Sequence, residues 1–170
     1  VDAHKAGDYA TAYKEFKTLA EHGDVDAQNN LGAMYENGKG VTQDYKEAVK
    51  WYRIAAEQGN ATAQNNLGLM YVRGKGVTQD YKQAAKWFRL SAEQGKAEAQ
   101  NNLGFIYGNG YGVIKDTVLA HMWYNISASN GYEAAKTNRD DAEKLMTSEQ
   151  LAEAQKLARE CVEKNYKDCG

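Results

Sequence analysis

The side chains that most often build catalytic or metal sites are few and scattered in this chain, which has two cysteines and three histidines. His4, His22 and His121 have no other His or Cys at ligand spacing, so no metal site is expected and each reads as a surface or packing residue. No nucleophile stands beside a base and no pair of carboxylates marks a general acid–base site; the chain therefore reads as non-enzymatic and free of cofactors. Gly-Lys-Gly at 38–40 and again at 74–76 offers glycines of the kind that cradle phosphate. It lacks the Gly-x-x-x-x-Gly-Lys-Ser/Thr spacing and a preceding strand, so it reads as a turn. Cys161 and Cys169 lie eight positions apart near the end of the chain, with Asn165 between them as a helix stop. Two readings stand: a bridge that pins the tail, or two unpaired thiols. A bridge needs Cα atoms within about 7 Å and an oxidising compartment.

Binding chemistry, by contrast, recurs. Asn29, Asn65 and Asn101 return at a fixed interval, and so does a neighbouring column reading Ala33, Leu69 and Phe105, with Glu36 and Val72 beside them. Amides suit a peptide backbone and apolar groups suit its side chains, so these eight residues are the candidate partner-binding surface. The bland alternative is that Leu69 and Phe105 pack against a neighbouring helix.

What must position these residues is a repeat. Ala-Gln-Asn-Asn-Leu-Gly begins at 27, 63 and 99, a period of 36 residues, and Tyr35, Gly38, Gly40, Asp44, Trp51 and Gly59 recur in step with it. From Ala27 to Glu36, Ala27, Leu31, Met34 and Tyr35 fall on one face, the stripe of a first helix (A). Glycines 38 and 40 end it. Asp44 and Asp80 cap a second helix (B), with Glu47 and Gln83 placed to complete a capping box. Helix B carries the stripe Tyr45, Ala48, Val49, Tyr52, Ala55 and Ala56 for about fourteen residues, and Gly59 stops it. Mid-helix glycines at 32, 68 and 104 cost up to about 1 kcal/mol each against alanine, which predicts close helix approach there. Trp51, Trp87 and Trp123 share one position of helix B and read as structural residues between units.

Neither helix buries its stripe alone, so the hairpins must stack. The expected fold is all-α, a right-handed α-solenoid of antiparallel hairpins forming one domain. A partial first repeat occupies 1–23, full repeats 24–59, 60–95 and 96–131, and a C-terminal capping helix pair 132–170. The Asn and Ala-Leu-Phe columns would line its concave face. In the cap, Thr147 or Ser148 starts a last helix whose Leu151, Ala154, Gln155, Ala158 and Val162 share one face. Twenty-one basic residues are interspersed with 23 acidic ones, which argues against a nucleic-acid partner. No apolar run approaches the roughly 20 residues that insert into a membrane. The chain starts at Val1, partway into a repeat, so an upstream segment, such as a signal peptide, is expected to have been removed.

The repeat resembles the Sel-one-like repeat, a relative of the tetratricopeptide repeat. The likeness is carried by Ala-x-x-Asn-Leu-Gly-x-x-Tyr-x-x-Gly-x-Gly-Val-x-x-Asp and the Ala-x-x-Trp-Tyr-x-x-Ala-Ala-x-x-Gly that follows. It is strongest in the units at Ala27 and Ala63; in the third, Thr117 replaces the aromatic and Ile114-Lys115 replaces Thr-Gln. The segment from Asn138 through Thr147 to Leu151 resembles the cap of bacterial members. The resemblance implies a bacterial, periplasmic or secreted scaffold or adaptor, monomeric, that binds a protein or peptide segment. Some secreted, cysteine-rich relatives are described as binding or hydrolysing β-lactams, which implies an alternative as an enzyme on β-lactams or peptidoglycan fragments. Their per-repeat cysteines are absent here. A third reading is a structural spacer within a longer solenoid.

Overall fold

The computed structural model describes residues 8–169, so His4 and Gly7, and with them the start of the partial first repeat, lie outside the described residues. Among the described residues the chain is all-α, and its nine helices pack as consecutive hairpins without a strand. Contacts divide it into two compact units, one ending at Gln79 and the other beginning at Asp80.

The first unit holds α1 (Tyr9–Glu21), α2 (Val25–Asn37), α3 (Tyr45–Glu57) and α4 (Ala61–Arg73). Each helix starts on a side chain that accepts the free N–H groups of the first turn. Asp24 takes that of Ala27 at 2.7 Å, Asn60 that of Ala63 at 2.8 Å, and Asp44 those of Lys46 and Glu47 at 2.8 and 3.1 Å. The reciprocal half of the expected capping box is not made at Asp44, because the Glu47 carboxylate turns to Lys50 at 3.3 Å. Helices α2 and α4 end on Gly38 and Gly74 in the left-handed conformation. The Gln43 and Gln79 amides donate back to Glu36 O and Val72 O, each at 2.7 Å, which satisfies a carbonyl of the last turn. That bond accounts for the glutamine of the repeat's Thr-Gln.

The core of this unit begins with Ala12, Phe16, Ala20, Ala27, Leu31 and Met34, and Trp51 packs against it from α3, as expected of a residue joining successive hairpins. Two glycine positions set the spacing. A Cβ on Gly32 would lie 2.7 Å from the Tyr52 ring, so the mid-helix glycine serves the approach of α2 to α3 within one hairpin. The second turn glycine serves the stacking of hairpins: a Cβ on Gly40 would lie 2.0 Å from Tyr9 O, and one on Gly76 2.1 Å from Tyr45 O. The buried glutamine of the motif ties the helices together. Gln28 donates to Ala20 O at 3.2 Å and accepts from Gln58 at 2.7 Å, while Gln64 donates to Ala56 O at 3.1 Å.

The second unit holds α5 (Tyr81–Ala92), α6 (Ala97–Asn109), α7 (Thr117–Ser129), α8 (Glu133–Glu143) and α9 (Ser148–Glu163). Its repeat chemistry is the same where the residues persist: Gln100 donates to Ala92 O, and a Cβ on Gly104 would meet the Tyr124 ring at 2.8 Å. Where they drift, the contact is lost, as at Lys96, which replaces Asn60 and gives α6 no side-chain cap. Helices α8 and α9 form the expected capping pair, and Thr147 and Gln150 make a full capping box at the start of α9. The buried face of α9 differs from expectation. Ala154, Ala158 and Cys161 are buried, while Gln155 and Val162 are exposed. The buried face is the one packed on α7, and it includes Cys161, which is bonded to Cys169 with Cα atoms 5.3 Å apart. The closed loop runs through Asn165, Tyr166 and Asp168, all at positive φ. It lies on its own unit, with the Tyr166 ring against Gly95, its hydroxyl 3.2 Å from Asn130 and Arg89 donating to Cys169 O at 3.4 Å.

Candidate functional site

In the first unit, α2 and α4 lie side by side and bring Asn29, Ala33, Glu36, Asn65, Leu69 and Val72 onto neighbouring surfaces. The amides are partly built into the packing. Asn29 Oδ1 accepts from Asn66 Nδ2 at 3.2 Å, and Asn65 is buried. Ala33, Leu69 and Val72 remain half-buried. Glu36 is held from two sides, by the Tyr52 hydroxyl at 2.8 Å and by Arg73 at 3.6 Å. Burial, with the Glu36 charge added, pushes the Tyr52 phenol well above the usual tyrosine range, so it stays a proton donor.

In the second unit, Asn101 is buried and accepts from Asn138 Nδ2 at 2.8 Å, so the same ladder that joins α2 to α4 joins α6 to α8. Sequence reasoning missed this use of the amide column; its signal was Asn66, the second asparagine of its pair, and Asn138, which stands 72 residues after it at the same register position. Phe105 is 43% exposed. One edge rests on Tyr111, with ring centroids 5.6 Å apart, and Tyr111 stacks on Tyr81 at 4.6 Å. Ile114, beyond Tyr111 in the same turn, is 89% exposed. Burial raises the Tyr124 phenol to about 12, which leaves it neutral as well. The surface can thus take up apolar side chains and offer N–H donors.

Among the described residues, no group of three His, Cys, Asp or Glu is placed to hold a metal ion, and both cysteines are in the disulfide. No described helix is long and apolar enough to cross a membrane. His121 is the histidine that departs from a simple packing role: it is 2% exposed, yet neither ring nitrogen has a hydrogen-bond partner. Its register was the available signal, since positions 49 and 85 carry Val and Ala where 121 carries His.

The Sel1 repeat family matches residues 25–60, 61–96 and 97–132. Among solved structures the chain is similar to a protective antigen present in uropathogenic Escherichia coli strains that displays an SLR fold. Identity is 39% and the TM-score 0.86, over 92% of this chain and 34% of that one. It is also similar to a Sel1 repeat protein from Oxalobacter formigenes, at 39% identity and a TM-score of 0.77, over 81% of this chain and 56% of that one. The chain therefore spans about a third of the first and little over half of the second. No curated protein matches it in sequence.

Proposed function

Because the chain belongs to the Sel1 repeat family, whose members generally act as protein-interaction scaffolds, we propose that it is a non-enzymatic scaffold holding an extended peptide segment against its A-helix faces. The observation that carries this reading is the register position 33, 69 and 105. It lies away from the buried stripe in all three A helices, stays accessible, and is apolar each time, ending in the exposed Phe105. An accessible apolar position kept through a repeat array serves a partner more readily than it serves the fold. The Asn29 amide, whose oxygen accepts from Asn66, keeps its N–H groups for a peptide carbonyl.

The disulfide supports a site of action in an oxidising compartment, periplasmic or extracellular. So does the likeness to an antigen of uropathogenic strains. The test is a pull-down from a bacterial envelope extract with the wild-type chain and a Leu69→Asp, Phe105→Asp variant whose helicity is intact by circular dichroism. A protein retained by the wild type and lost by the variant is expected; equal retention refutes the face. Hydrolysis of a chromogenic β-lactam that disappears on mutation of one polar residue would replace the scaffold reading with the enzymatic one.

A further inference from the structure

The end of the array departs from its own repeat in a directed way. Taken in steps of 36, Val49 and Ala85 become His121, Arg53 and Arg89 become Asn125, Leu67 and Leu103 become Arg139, and Tyr71 and Tyr107 become Glu143. In the earlier copies these positions are occupied internally. Leu67 and Leu103 are fully buried, and Arg53 and Arg89 donate to the hydroxyls of Tyr71 and Tyr107. In the last copy all four changed residues, joined by Gln155 and Arg159 of α9, line one cavity of about 280 Å³ within the second unit.

The polar groups in this cavity are not consumed by each other. Both ring nitrogens of the buried His121 lack a hydrogen-bond partner, the Glu143 carboxylate lying 3.8 Å from Nε2. Asn125, Gln155 and Arg159 make no side-chain hydrogen bond or ion pair among the described residues. Arg139 is held by Asp140 through Nε and Nη2 at 2.9 and 2.7 Å. His121 is the buried group among these, while Asn125 is half-buried and Gln155 and Arg159 are exposed, so a ligand entering the cavity would satisfy the imidazole and meet polar groups at its mouth. Beside it lies a second cleft of about 410 Å³ that shares Asn125 and Arg159 and is faced by Ile126, Ala158 and Val162.

We propose that these two neighbouring cavities bind the free C-terminal residue of a peptide, with the carboxylate between Arg159, Asn125 and His121 and an aliphatic side chain in the Ile126–Ala158–Val162 cleft. Charge selects a monoanion. Among the described residues, Arg159 is the one cation of the lining without a counter-ion, and the carboxylates of Glu143 and Asp140 oppose a phosphate dianion. The planar guanidinium suits a carboxylate, and the amides of Asn125 and Gln155 suit the peptide group behind it. Burial pushes the His121 imidazole below its ordinary value against the opposing influence of Glu143, which leaves a neutral ring able to donate one hydrogen bond. The site is independent of the A-helix face and stands or falls without it.

The test is calorimetric titration of the full chain with N-acetyl-Gly-Ser-Gly-Ala-Leu, its C-terminal amide, the same peptide ending in Gly, and octanoate, with the His121 ring resonances followed in parallel. The free acid ending in Leu is expected to bind and to shift those resonances. The amide, the Gly-ended acid and the Arg159→Gln protein are each expected to bind at least tenfold more weakly. Asn125→Ala, which removes a half-buried group of the same contact, provides a second variant should the first fail to fold. Equal binding of acid and amide, unchanged binding by the variants, or no heat and no shift at millimolar peptide overturns the proposal. Octanoate binding more tightly than the peptide overturns the peptide assignment.

Discussion

Replacing Gly76 by alanine adds one methyl group and charges it twice. At φ +71° the residue is left-handed, which costs an L-residue about 1–2 kcal/mol. The new Cβ would also sit 2.1 Å from Tyr45 O and 2.4 Å from Tyr45 C, some 1.3 Å inside the 3.4 Å of an ordinary contact. These are main-chain atoms of the first residue of α3, which cannot swing aside as a side chain can; the turn after α4 must lift off α3. Overpacking of this kind costs about 1–3 kcal/mol, so Gly76→Ala is expected to lose about 2–5 kcal/mol in all. Gly59→Ala is the control. It has φ +93° but nothing within 4 Å of its Cβ, so it should lose only the conformational part, about 1–2 kcal/mol. Urea unfolding followed by far-UV circular dichroism measures both. Losses equal to within about 0.5 kcal/mol would refute the argument that hairpin spacing rests on this contact.

Opening the Cys161–Cys169 bridge, by reduction or by a Cys161→Ser, Cys169→Ser variant, should lower stability by about 2–3 kcal/mol for a loop of this size. Hydrogen exchange at Tyr166 and Cys169 should rise while α1 to α8 keep their protection; unchanged exchange in the tail would show that its other contacts hold it unaided. Acidification should expose His121. Its folded value lies below the ordinary one of about 6.5. The unfolded chain therefore takes up the proton first, and stability is lost as pH falls from about 6.5 through the folded value, about 1.4 kcal/mol for each unit between them. His121→Gln should flatten that part of the stability profile, and an unaltered slope would mean that other groups set it.

Much of this protein is written in local, periodic terms, and those parts are legible without coordinates. The 36-residue period stands in the sequence itself, and the caps Asp44 and Asp80, the terminating glycines and the buried stripe from Ala27 to Met34 depend on residues within one or two turns of each other. The resemblance carried by the same residues pointed to the family. Tertiary packing alone decided the rest. It set the motif asparagines to bridging neighbouring A helices, made the second turn glycine the contact point between hairpins, joined Cys161 to Cys169, and left Val162 outside the buried face of α9. It also gathered His121, Asn125, Arg139, Glu143, Gln155 and Arg159 from three helices into one cavity. His121 and Asn125, Arg139 and Glu143, and Gln155 and Arg159 are each four apart and share a face of one helix, but no spacing within a helix reveals that the three faces meet. That depends on which helix packs against which.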